Sequence, residues 1–262
     1  MSVLARLRQA AGRIAFLASA PPLRRWWRGR RAGTGDVPPP GLIRFGDLRR
    51  LDPLSREWGL DRGGPIDRHY IEAFMQEHRE DIRGRVLEIA EDVYTQWFGG
   101  ANVTHADILQ YAEGEHPRAT FTGDLTRAEH IPSDTFDCLI VTQTLQLIYD
   151  VRAAIETMHR ILKPGGVLLL TVPGISQINR HDSETWGDYW CWNFTALSLR
   201  RLFGESFGAE NVLVEPHGNV LAAAGFLYGM GRQDLTRREL DHHDPDYELL
   251  ITVHARKAGR SR

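Results

Sequence analysis

The chain has only two cysteines, Cys138 and Cys191, in 262 residues. Two thiols make no disulfide framework, so the expected setting is reducing and cytoplasmic. Long apolar runs are missing as well: no stretch approaches the ~20 uncharged apolar residues that a membrane-spanning helix needs. Lysine is nearly absent, with Lys163 and Lys257 the only two among 32 basic residues. There is accordingly no phosphate-binding lysine loop, and no Ser-His-Asp or Cys-His arrangement stands in a supporting context. The pair His242-His243, flanked by Asp241 and Asp244, has no spacing that fixes a coordination geometry, so no metal is expected. Apolar residues, by contrast, make up 42% of the chain, enough for one large α/β domain with appendages.

Charge is unevenly spread. Residues 1–31 hold eight arginines and no acid, leaving 24 basic and 34 acidic residues, a net −10, for the remainder. Within this arm Val3, Leu4, Leu7, Ala11, Ile14 and Leu17 recur at helical spacing, followed by Arg24-Arg25-Trp26-Trp27-Arg28 and a linker ending in Pro38-Pro39-Pro40. Such an arm either lies in a lipid headgroup layer or against a partner enzyme, or is a solvated tail; both readings stand. The apolar run before Ala18-Ser19-Ala20 falls short of the ~7 residues of a signal peptide, so secretion is not expected. No nucleic-acid-reading module accompanies the arginines, and no nucleic acid is expected as a partner.

The domain plan is an arm and linker at 1–40, a cap segment and helix at 41–84, and a core at 85–262. Tyr70, Ile71, Phe74 and Met75 supply the apolar face of a helix running to about Glu80, with Asp67, Arg68 and Tyr70 placed to reach over a ligand. The core begins with Arg85 to Gly100, a short apolar run that contains an acid and turns into a loop, the place where an open α/β sheet binds its ligand. Further strands are expected at Val103 to Ala106, Ala119 to Phe121, Cys138 to Val141, Val167 to Thr171, Asn211 to Glu215 and Glu248 to Ala255. Helices are expected at Val151 to Leu162 and Thr195 to Phe203. The breaker Lys163-Pro164-Gly165-Gly166 separates one of these helices from its strand.

Several weak motifs then fall in a fixed order. Phe136-Asp137-Cys138-Leu139-Ile140-Val141, then Leu145 and Asp150, then Arg160-Ile161-Leu162-Lys163-Pro164-Gly165-Gly166 and Leu168-Leu169-Leu170-Thr171-Val172-Pro173 resemble the second half of class I S-adenosylmethionine-dependent methyltransferases. More narrowly, they resemble the broad group called type 11 methyltransferases. The resemblance covers about Arg85 to Lys257. It implies a doubly wound, mostly parallel seven-stranded sheet with helices on both faces, and S-adenosylmethionine as cofactor. Carried over by position, it implies that Glu88 holds the cofactor's amino group, Asp107 its ribose, and Asp124 and Leu125 its adenine. Gln143 or Thr144 then lies near the reacting methyl.

The chain departs from that pattern in the loop after Glu88. The three glycine places hold Ala90, Asp92 and Tyr94, while Gly99 and Gly100 arrive late. Side chains there narrow the pocket or re-route the loop, with Gly99 and Gly100 as the available compensation. Where the family often has a histidine, this chain has Leu147. An alcohol acceptor needs a base, and the loop from Gly174 to Asn193 offers His181 first and Asp182 second. Trp186, Tyr189 and Trp190, with Tyr70, are the expected acceptor-binding aromatics, suited to a saccharide or other ring. The readings are an O-methyltransferase of small molecules or glycans, or a catalytically silent relative docking on a membrane or glycosyltransferase. A nicotinamide oxidoreductase is disfavoured because the glycine-rich pyrophosphate turn is missing.

Overall fold

The computed structural model describes residues 41–114, 116–180 and 188–259, together with Pro38. The basic arm, residues 1–31, lies outside the described residues, as do His181, Asp182 and Trp186. The chain divides into two compact units, Met1–Leu51 and Asp52–Arg262. In the described part of the first, one helical turn, Gly46–Leu48, is flanked by exposed Leu42, Ile43, Phe45 and Leu51.

The second unit is built on seven strands: β1 (Gly84–Ile89), β2 (Val103–Gln110), β3 (Phe121–Thr122), β4 (Phe136–Thr142), β5 (Leu162–Pro173), β6 (Val212–His217) and β7 (Leu250–Arg256). Their order is β3-β2-β1-β4-β5-β7-β6. All neighbours pair in parallel except β7, which runs antiparallel to both β5 and β6. The winding reverses between β1 and β4, so the crevice beyond their carboxyl ends is where such a sheet receives ligands. The doubly wound, mostly parallel sheet expected from the sequence is therefore the observed one.

Alternation along the strands sorts the core into two layers. On one face Leu87, Leu139, Leu168, Leu170 and Val253 pack with α2 (Val151–Ile161) and α3 (Ala196–Phe207). On the other, Val86, Ile140, Leu169 and Leu250 pack with α1 (Asp67–Glu77), α4 (Val220–Leu227) and α5 (Arg237–Asp241). Helix α1 buries Tyr70, Ile71, Phe74 and Met75 on one stripe and stops at Glu77, where His78 returns its N–H to the Phe74 carbonyl. Helix α2 starts on a cap, Asp150 accepting from the Ala153 N–H, and ends as Leu162 turns extended ahead of Pro164, which has no N–H to continue the ladder.

One local expectation is corrected: strand β2 runs to Gln110 rather than Ala106, because Ile108 and Leu109 continue the buried apolar run past Asp107. Strands β1 and β2 are joined through a π-type turn at Thr95–Gly99 and a 3-10 turn at Gly100–Asn102. The partly apolar stretch at 220–230 forms α4.

Candidate functional site

The loop leaving β1 keeps a glycine-like path without glycine. Ala90 has φ 70, a left-handed conformation that costs an L-residue about 1–2 kcal/mol. It is pinned from both sides: its N–H donates to the Leu109 carbonyl, and its carbonyl accepts from Gln110 Nε2. Two residues on, the Asp92 carboxylate takes a bidentate pair of hydrogen bonds from Arg118, at 2.8 and 2.7 Å. Burial alone would raise the Asp92 carboxyl, but hydrogen bonds from Gln96 and Arg118 hold it below its ordinary range. At the third glycine place the Tyr94 ring is buried, stacked on Phe98 with centroids 6.3 Å apart, and its hydroxyl accepts from Arg68 Nη1 at 3.3 Å. Side-chain contacts thus fix a loop that has no glycine at these three places.

Glu88 is committed inside the protein. Its Oε1 accepts the Tyr94 N–H at 3.1 Å, and its Oε2 accepts the Thr95 N–H at 2.8 Å and the Thr95 hydroxyl at 2.7 Å. The carboxylate therefore caps the first turn after the loop. Burial pushes its carboxyl up to about 7, against the pull of the Thr95 and Tyr94 donors.

A second set of polar groups gathers where β4 ends. Gln143, with φ 48, leaves the strand on a left-handed kink and sends Nε2 to Asp67 Oδ2 at 3.3 Å. Gln146 Nε2 in turn donates to the Gln143 carbonyl at 2.8 Å and to its Oε1 at 3.4 Å. The two ends of this relay are unmet: Asp67 Oδ1 and Gln146 Oε1 are buried and have no hydrogen-bond partner among the described residues. Burial raises the Asp67 carboxyl, with the Arg68 charge and the N–H groups of the helix start pulling the other way. Buried acceptors without donors are costly, about 1–3 kcal/mol each.

The residues named from the sequence are distributed as follows. Glu88 pairs in register with Ile140, and Ala90 and Gln143 follow directly on the ends of the neighbouring strands β1 and β4. Asp107 is not at a strand end: it lies three residues before the end of β2, level with Leu87, and is held by Arg85 at 2.6 and 3.2 Å. The strand end that the ribose acid was expected to occupy carries Gln110. The sequence signal for this was Ile108-Leu109, which prolongs the strand. Asp124 caps a short turn, accepting the Thr126 N–H at 2.8 Å, and Leu125 is buried in the core. Tyr70 is also withdrawn from an acceptor role, since its hydroxyl donates to the Leu240 carbonyl at 2.9 Å and ties α1 to α5. Gly99 and Gly100 lie just before β2, at the amino end of the strands and opposite the crevice, where Gly99 packs against Ile82 and Val103. They cannot open the cofactor loop. Thr144 turns its hydroxyl back to the Thr142 carbonyl.

Cys191 and Trp192 donate their N–H groups to the Gln146 carbonyl, which holds Tyr189 and Trp190 beside the turn after β4. Trp190 stacks on Trp58 with centroids 6.3 Å apart, and Trp192 stacks on Tyr149 at 5.9 Å. Tyr149 and Tyr189 are exposed. Trp58, Tyr149 and Trp192 join this aromatic group only through the fold. The acidic and histidine residues near the chain's end, His242 and His243, face no shared ligand position among the described residues; the one group with metal-ligand proximity there is His78, Asp81 and His254.

A seven-stranded sheet in this order, with one antiparallel strand beside the edge and a polar crevice at the switch point, defines a class I methyltransferase of the S-adenosylmethionine-dependent kind. The family described as a methyltransferase domain matches residues 74–214, over half of the chain, and the protein belongs to that family. A ubiquinone/menaquinone biosynthesis C-methyltransferase of Haemophilus ducreyi is 44% identical over 45 residues, 16% of this chain and 17% of that relative. The match thus spans well under two thirds of that relative's length. Among solved structures, an S-adenosylmethionine-dependent methyltransferase from Mesorhizobium loti is similar with a TM-score of 0.49 at 17% identity, covering 74% of this chain and 99% of that one. Another, from Archaeoglobus fulgidus, gives a TM-score of 0.45 at 13% identity, over 78% and 95% of the two chains. S-adenosylmethionine is the cofactor of the class. The unmet acceptors Asp67 Oδ1 and Gln146 Oε1 suit its cationic methionine end, which carries an ammonium and a sulfonium.

Proposed function

We propose that the protein methylates a hydroxyl of a small-molecule or glycan-type acceptor. The observation that carries this reading is two aromatic stacks, Trp58 on Trp190 and Tyr149 on Trp192, tied by the Trp192 N–H to Gln146 after β4 and by Trp58 Nε1 to Ser176 after β5. Flat, partly exposed rings bury the apolar face of a sugar while their polar tips stay wet. When bound, S-adenosylmethionine supplies an activated methyl on a good leaving group. The chain's own task is then alignment and exclusion of water. Ala90 and Tyr94 would flank the cofactor at β1, and Gln143 and Gln146 at β4. Removing the proton of a hydroxyl acceptor falls to a base on the loop after β5, with His181 first and Asp182 second. The basic arm, residues 1–31, is the expected contact for an anionic membrane surface or a glycosyltransferase.

A second reading rests on a specific observation: three donors from Tyr94 and Thr95 already engage Glu88, and a tyrosine fills the third glycine place. A silent relative would look this way. Calorimetric titration of the full chain with S-adenosylmethionine and with S-adenosylhomocysteine separates the two. Micromolar binding of both, followed by transfer of labelled methyl to saccharide hydroxyls in preference to amines, is the expected result. A folded sample that binds neither ligand would establish the silent reading instead.

A further inference from the structure

We infer that Asp67 and Arg68, the first two residues of α1, form the seat for the amino-acid end of the cofactor, Asp67 receiving the ammonium and Arg68 the carboxylate, in place of Glu88. The inference deepens the proposed function and rests on it.

Its starting point is a displaced charge. The family position for the ammonium is the acid at the end of β1, yet here both Glu88 oxygens already accept hydrogen bonds, Oε1 from the Tyr94 N–H and Oε2 from the Thr95 N–H and hydroxyl. Freeing them would uncap the turn at Thr95–Gly99. A cation at this edge therefore needs a carboxylate from elsewhere. Asp67 supplies one. It is 6% exposed, and its single side-chain partner is the Gln143 amide on Oδ2 at 3.3 Å, while Oδ1 has none. The contact through Gln143 places it at the end of β4, beside the loop that leaves β1.

Arg68 supplies the opposite charge. Its guanidinium carries five donors, and the one bond it makes, at 3.3 Å, goes to the neutral hydroxyl of Tyr94. The Arg68 charge acts on Asp67, yet its guanidinium hydrogen-bonds the Tyr94 hydroxyl. Consecutive residues at one end of a helix, one a buried carboxylate with an unmet oxygen and one a cation bonded to a neutral hydroxyl, match the two charges of an α-amino acid. Tyr94, held by Arg68 and buried beside α1, then forms the wall of this seat rather than a plug. A purely structural role for Asp67 would have paired Oδ1 inside the protein, because an unmet buried carboxylate weakens the fold.

The test uses two probes on the full chain: S-adenosylhomocysteine, which has the amino-acid end, and methylthioadenosine, which lacks it. Dissociation constants are measured by calorimetry and displacement for wild type, Asp67→Asn and Arg68→Gln. The expected result is a tenfold or greater loss of S-adenosylhomocysteine affinity in each variant, with methylthioadenosine affinity within twofold of wild type. Asp67→Asn should also melt no lower than wild type, since it removes a buried charge. An S-adenosylhomocysteine constant within twofold of wild type in Asp67→Asn would overturn the inference. So would an equal loss of both ligands, which marks a general disturbance of the crevice. Failure of the wild type to bind S-adenosylhomocysteine would instead overturn the methyltransferase reading beneath it.

Discussion

His217 shows how burial of one side chain reaches the stability of the whole. It sits at the end of β6, hydrogen-bonded to Thr252 Oγ1 at 3.0 Å and stacked on Tyr70. Burial, with the neighbouring His243 charge, lowers its pKa to about 4. The unfolded chain binds a proton below about 6.5, whereas the native state does not until about 4. His217 therefore contributes stability that is fully present above 6.5 and is lost as pH falls toward 4, by up to about 1.4 kcal/mol per pH unit. Glu88 works in the opposite sense. Its native carboxyl, pushed up to about 7, keeps its proton where the unfolded one has lost it, so its contribution is present below the ordinary glutamate range and fades as pH rises through 7. Urea unfolding of wild type and His217→Asn across this window should show the variant losing less stability toward acid. Identical slopes would mean that His217 titrates normally in the folded protein.

At the scale of elements, the helices owe their places to caps and one buried stripe each. Helix α3 begins with Thr195, which accepts the Ser198 N–H while Ser198 Oγ accepts the Thr195 N–H. It presents Leu199, Phe203 and Phe207 to the sheet. Phe203 is fully buried, so Phe203→Ala should cost about 3–5 kcal/mol through lost burial and the cavity left behind. Thr195→Ala removes only a cap bond and should cost about 1 kcal/mol. Chemical denaturation of both variants checks the contrast. A Phe203→Ala loss as small as that of Thr195→Ala would show that the layer between α3 and the sheet collapses to fill the gap. The loop after β1 follows a different rule: it holds its path by bonds from Gln110 and Arg118 to Ala90 and Asp92, with no glycine at these places.

For the whole molecule, the division of charge is the main physical fact. Eight arginines without an acid occupy residues 1–31, against a net −10 for the rest. Attraction of such an arm to an anionic surface is worth about 1 kcal/mol per basic residue near it and is weakened by salt. Deleting residues 1–35 should abolish co-sedimentation with phosphatidylserine vesicles and leave S-adenosylhomocysteine affinity unchanged. Continued sedimentation of the truncated chain would move the contact to the body. Among the described residues no helix is long and apolar enough to cross a membrane.

The sequence by itself determined the sheet, because apolar runs such as Cys138 to Val141 and Val167 to Thr171 repeat at strand length, and breakers such as Lys163-Pro164-Gly165-Gly166 stand at their junctions. It also set Glu88 within β1 and Ala90 and Gln143 just past the ends of β1 and β4, since position along the chain fixes where each strand stops. Only the tertiary structure decided which side chains remain available there. Whether Glu88 is free or engaged by Thr95, whether Asp107 faces a ligand or Arg85, and whether Tyr70 reaches the crevice or the Leu240 carbonyl depend on partners 7, 22 and 170 residues away. The buried Oδ1 of Asp67 is legible only once the Gln143 amide, 76 residues on, has taken the other oxygen. Local pattern fixes the backbone path, whereas satisfaction of polar groups is settled by contacts that no spacing in the sequence encodes.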